Sequence, residues 1–90
     1  MDSETKRRRA LSREQSKIRI LVIAKMLNEG RRLTARQILG RLQAQYDITV
    51  DRKTLYDDIA AIDKIMPIDV KVGKNGGYMK WNFFGGGVNL

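Results

Sequence analysis

Apolar residues along the chain form three stretches at helical spacing, followed by a short alternation of period two. The first stretch, Ile18, Ile20, Leu21, Val22, Ile23, Ala24, Met26 and Leu27, covers more than one side of a helix. This predicts a central helix largely enclosed by its neighbours. Ser12 with Gln15 three residues on has capping-box spacing, so the helix is expected to open there, to run to Asn28 or Glu29, and to stop at Gly30. Thr34 with Gln37 repeats that spacing ahead of a second helix, whose apolar face is Ile38, Leu39 and Leu42 and whose end falls near Gln45 or Tyr46.

After the connection Asp47-Ile48-Thr49-Val50, Asp51 can cap a third helix over 51–66. Leu55, Ile59, Ile62 and Met66 recur on its inner side, while Lys53, Asp57, Ala60 and Lys64 share the outer side with Arg52 and Tyr56 on a shoulder. Pro67 stops the helix, and 68–72 alternates as a strand. An Asn-Gly turn within 73–77 leads to a returning strand over 78–83. On that strand Met79, Trp81 and Phe83 continue the apolar alternation, which makes Trp81 a core anchor, and Tyr78, Lys80 and Asn82 take the other face.

The pattern divides the chain into a flexible basic arm, 1–11, a folded unit, 12–83, and a glycine-rich flexible tail, 84–90. A second domain does not fit into ninety residues. Second helix, short turn and third helix follow helix-turn-helix order, so the expected fold is α+β: a three-helix core with a C-terminal two-stranded β-hairpin wing.

Charge and the missing residue types narrow the function. Eighteen basic against ten acidic side chains leave +8, which points to a polyanionic partner, most often nucleic acid. An anionic membrane surface would also satisfy that charge, but no amphipathic helix adjoins the basic cluster. No apolar run approaches the roughly 20 residues of a bilayer span, and the N-terminus has no apolar signal core, so a cytoplasmic location is expected. Without cysteine or histidine, His-assisted nucleophiles, thiol chemistry and the usual zinc sites are excluded, and no cofactor is expected. Asp57 and Asp58 point about 100° apart on a helix and cannot converge as an acid/base pair. They read as a solvated acidic step, and the chain does not read as an enzyme.

Over 20–78 the sequence resembles the winged helix-turn-helix domain at the N-terminus of bacterial WYL-domain and DeoR-like transcriptional regulators. The resemblance rests on Leu33-Thr34-Ala35 with Ile38-Leu39 behind it, on Asp51-Arg52-Lys53-Thr54-Leu55-Tyr56-Asp57-Asp58-Ile59 as the recognition-helix motif, and on Gly76-Gly77-Tyr78 closing the wing. The position before the matched Asp58 is commonly Arg in the family. Here it is Asp57, which repels phosphate and can instead accept from a cytosine amino group.

The resemblance implies a sequence-selective binder of double-stranded DNA, a small transcriptional regulator of a bacterial or phage-infected cell, associated with the nucleoid. The third helix would enter the major groove and the wing would lie on the backbone. Candidate contacts are Arg7, Arg8 and Arg9 on the arm, Arg36 at the start of the second helix, Arg52, Lys53, Thr54, Tyr56 and Asp57 on the third, and Lys74 at the wing tip. Arg31 and Arg32 lie in the loop before the second helix, and Arg36 is preferred to them because it projects from a helix. Monomer and homodimer both stay open, and no small-molecule ligand is expected. The alternative is a winged-helix protein-interaction or assembly module of a mobile-element or viral system.

Overall fold

The computed structural model describes the backbone of residues 3–81 and the side chains of residues 13–81. Three helices are followed by an antiparallel hairpin: α1 (Ser3–Leu27), α2 (Ala35–Tyr46), α3 (Arg52–Asp63), β1 (Ile68–Lys71) and β2 (Gly77–Lys80). This α+β arrangement fits a winged helix-turn-helix. The expected tail, 84–90, and Phe83 lie outside the described residues.

The first helix differs from expectation in two respects. It opens at Ser3 and runs unbroken past Ser12, so 3–11 is helical backbone continuous with α1 and not a separate arm. Nothing between Ser3 and Gly30 is a proline or glycine, and a Ser-x-x-Gln spacing inside such a run need not become a cap. The helix is also one-sided. Val22, Ile23, Met26 and Leu27 are buried, but Leu21 is 69% exposed and Ile18 44%. Among the described residues α2, α3 and β2 pack against it, and they cover one face.

The second helix follows its sequence signals closely. The Thr34 hydroxyl accepts from the Gln37 backbone N–H at 3.1 Å, and the Gln37 side-chain oxygen accepts from the Thr34 N–H at 2.9 Å, completing the capping box. The helix ends at Tyr46 because Asp47 turns left-handed (φ 56°), and its N–H bonds back to Gln43 at 3.1 Å.

On α3, Asp51 accepts from the Thr54 N–H at 2.8 Å and so caps the start as expected. The helix stops at Asp63 and does not continue to 66. Lys64 and Ile65 donate to the carbonyls three residues back, at 3.3 and 3.0 Å, which tightens the last turn. Pro67 disfavours helical geometry at Met66. Asp63 then accepts from the Ile68 N–H at 2.7 Å and ties the helix end to β1.

The core unites the inner faces of all three helices: Ile23, Leu27, Ile38, Leu42 and Leu55 are the largest fully buried side chains. Burying each contributes roughly 1.5–3 kcal/mol. Ile68 and Tyr78 from the hairpin pack against this cluster.

Strand register sets the wing. Ile68 pairs with Lys80, Asp69 with Met79, Val70 with Tyr78 and Lys71 with Gly77. Both strands are shorter than 68–72 and 78–83. Since cross-strand partners share a face, Tyr78 and Val70 look toward the helices, whereas Asp69 and Met79 look away. Trp81 follows Met79 in the alternation and is 49% exposed, so it is not the core anchor expected of it; Tyr78 takes that place. A further contact was not foreseen: Leu33 and Tyr78 exchange two backbone hydrogen bonds, at 2.9 and 2.7 Å, adding a one-residue third strand before α2. Gly77 permits it, with φ at 138° and the Leu33 oxygen only 2.5 Å from where a Cβ would stand.

Candidate nucleic-acid interface

Ion pairing sorts the arginines into those committed to the fold and those left outward. Arg19 on α1 grips Asp58 on α3 with both arms of its guanidinium, Nε to one carboxylate oxygen and Nη2 to the other at 3.1 Å. Their side chains are only 14% and 7% exposed. Hydrogen bonding to Asp58 raises the Arg19 pKa further above its already high ordinary value, against the opposing effect of burial. Asp58 is thus no part of a solvated acidic step: it lies between the buried Leu55 and Ile62 turns of α3, where α1 packs.

Arg32 bonds the Asp69 carboxylate at 2.5 Å and the Asp69 and Gly77 carbonyls at 3.3 and 3.1 Å, clasping the loop before α2 to both strands of the wing. Arg41 pairs with Glu29 through two bonds at 3.0 and 2.9 Å.

None of these three arginines is a free cation, whereas Arg36, Arg52, Lys53 and Lys74 are exposed and make no hydrogen bond or ion pair with any described residue.

The α3 candidates stand together. Arg52 and Lys53 occupy the first helical turn, Tyr56 follows 43% exposed, and Asp57 is exposed without a partner. Thr54 is half-buried, and its hydrogen bonding to the Asp51 carboxylate, assisted by the Lys53 charge, holds that carboxylate below its ordinary pKa. Its structural role is the cap. The Tyr56 ring lies 6.5 Å from that of Tyr78 on β2, tilted by 42°. Burial pushes the Tyr78 hydroxyl above its usual pKa, with Tyr56 adding to the shift and the charge of Arg52 opposing it.

Lys74 stands in the turn that Gly76 N–H closes onto the Gly73 carbonyl at 2.9 Å, with Asn75 left-handed at φ 65°. Arg36 and Lys74 lie on other elements and make no polar contact with the α3 group. The side chains of Arg7, Arg8 and Arg9 lie outside the described residues.

Between α3 and the hairpin runs an open cleft of about 270 Å³, walled by Tyr56, Ala60, Asp63, Val70 and Tyr78 over Ile59 and Ile68. Sequence reasoning passed over this cleft and the roles of Arg19, Arg32 and Asp58. A signal for Asp58 was present, since position 58 falls three residues after Leu55 and four before Ile62, on the flank of the buried stripe.

Among the described residues no group of His, Cys, Asp or Glu can hold a metal ion, and no helix is long and apolar enough to cross a membrane. Comparison with protein-family models, with curated proteins and with solved structures finds no match for this chain.

Proposed function

We infer that the chain is a sequence-selective double-stranded DNA-binding protein, a small transcriptional regulator acting in the cytoplasm on the nucleoid, with α3 in the major groove and the hairpin on the backbone. The observation that carries this reading is the state of the α3 outer face. Arg52 and Lys53 project from the first turn with no hydrogen bond or ion pair to a described residue, although positive charge there opposes the helix dipole. The Lys53 charge assists the Asp51 cap only at a distance and the Arg52 charge only reaches Tyr78, so folding makes little use of the two cations, and contact with phosphates and base edges would use both. Arg36 at the start of α2 and Lys74 at the hairpin turn supply further unpaired cations. The resemblance to the DNA-binding domain of WYL-domain and DeoR-like regulators supports the same assignment, and no step of it requires catalysis.

A second reading, a protein-interaction or assembly module, draws support from Ile65 and Val72, which are 87% and 90% exposed, and from the apolar walls of the cleft. Titration of random-sequence duplex DNA at several salt concentrations separates the two. A DNA-binding chain gives a log-log slope of about −0.9 for each phosphate neutralised; a protein-interaction module gives no saturable, salt-dependent binding.

A further inference from the structure

The outer face of α3 changes character along its length. Its first turn is cationic, Asp57 follows one turn later, and Ala60 and Tyr56 then border the apolar cleft against the hairpin. A carboxylate is the wrong group to hold toward phosphates, and the described fold uses most of its other carboxylates internally. Glu29, Asp58 and Asp69 are ion-paired, Asp51 caps α3, and Asp63 holds the Ile68 N–H. Asp57 is different: exposed, unpartnered, and in the middle of the face that carries Arg52 and Lys53.

In the major groove an aspartate has a well-matched donor in the cytosine N4 amino group, and a small apolar surface has one in the thymine C5 methyl. Asp57 and Ala60 are three residues apart, hence neighbours on the helix surface. The cleft lining is apolar apart from Asp63, whose carboxylate is engaged by the Ile68 N–H. Arg52 and Lys53 at the other end of α3 can hold the backbone that carries such bases, so the mouth of the cleft beside Tyr56 and Ala60 suits an apolar group mounted on a polyanion.

We propose that α3 reads a pyrimidine step, with Asp57 accepting from a cytosine amino group and Ala60 with Tyr56 receiving the methyl of an adjacent thymine at the mouth of the cleft. The assignment rests on the DNA-binding reading above and adds the chemical identity of the bases.

The test begins with sequences selected by the full chain from a random duplex library, which should share a cytosine beside a thymine on one strand. Replacing that thymine by deoxyuridine removes only the methyl and should weaken binding about three- to tenfold, while deoxyuridine elsewhere in the duplex has no effect. Asp57→Asn should lose the cytosine preference by about tenfold and move it toward adenine, whose N6 and N7 an amide can bridge. Thermal melting of the same variant, exposed as the side chain is, should match the parent.

Salt-dependent binding that is indifferent to the methyl, or an Asp57→Asn variant that binds every duplex more tightly by the same factor, overturns the pyrimidine assignment and leaves DNA binding standing. In the second case Asp57 only repels phosphate. Absence of saturable binding to any duplex overturns both.

Discussion

Removing Arg19 isolates a buried carboxylate in the middle of α3, and its cost can be worked from the geometry. Arg19→Met keeps the apolar stem and deletes the guanidinium, leaving Asp58, whose side chain is 7% exposed, without either of its two bonds. Removing one partner of a buried ion pair costs about 3–5 kcal/mol, because the remaining charge stays desolvated and uncompensated. A native domain holds roughly 5–15 kcal/mol in all, and one this small has little surplus. At about 4–8 °C per kcal/mol for this size, Tm should fall by about 12–40 °C.

The assay is thermal and urea unfolding of parent, Arg19→Met, Asp58→Leu and the double variant. Replacing both partners by apolar groups removes the desolvated charge as well as the pair, so the double variant should recover most of the lost stability and show strong coupling in the cycle. A cost for Arg19→Met below about 1 kcal/mol, as for exposed pairs, would refute the reasoning and return Asp58 to solvent.

Gly77→Ala should break the bridge to Leu33 and lower the urea midpoint, because φ is 138° and the new Cβ would stand 2.5 Å from the Leu33 oxygen; an unchanged midpoint means that the third strand contributes nothing. Ile59→Ala, at a site 5% exposed, should cost about 2–5 kcal/mol by equilibrium unfolding. Glu29 and Asp51 have folded pKa values lowered by Arg41 and Thr54, below reference values of 4.5 and 3.8. Their contribution to stability is therefore full above that range and lost as pH falls through the depressed values. A pH series of urea midpoints should show the parent declining on acidification more steeply than an Asp51→Asn, Glu29→Gln variant.

The elements legible in the sequence were those written in local chemistry. Thr34 with Gln37, Asp51 before Thr54, and the Gly-Lys-Asn-Gly turn each involve neighbours in the chain, and each forms as its residue types require. The outward Arg52, Lys53, Tyr56 and Asp57 follow from helical period alone. What escaped depends on partners far along the chain. Arg19 and Asp58 are 39 residues apart, Arg32 and Asp69 37, and either member alone looks like an ordinary surface charge. The place of Trp81 was lost because alternation fixes which residues share a face but not which face meets the core. The early start of α1 escaped because a capping spacing is a permissive signal, and an unbroken run of helix formers overrides it.

Selection of bound sequences from a random duplex library, run in parallel on the parent and on folded Arg52→Ala and Lys53→Ala variants, tests the central claim most directly. The parent should enrich one motif. A variant that has lost a bidentate base contact should bind that motif about 1–3 kcal/mol more weakly, with preference relaxed at one base pair; one that has lost a phosphate contact should weaken on all sequences alike with a shallower salt slope. If the parent enriches no motif, or if both variants bind every duplex as the parent does, α3 is not the reading helix and the protein-interaction function takes its place.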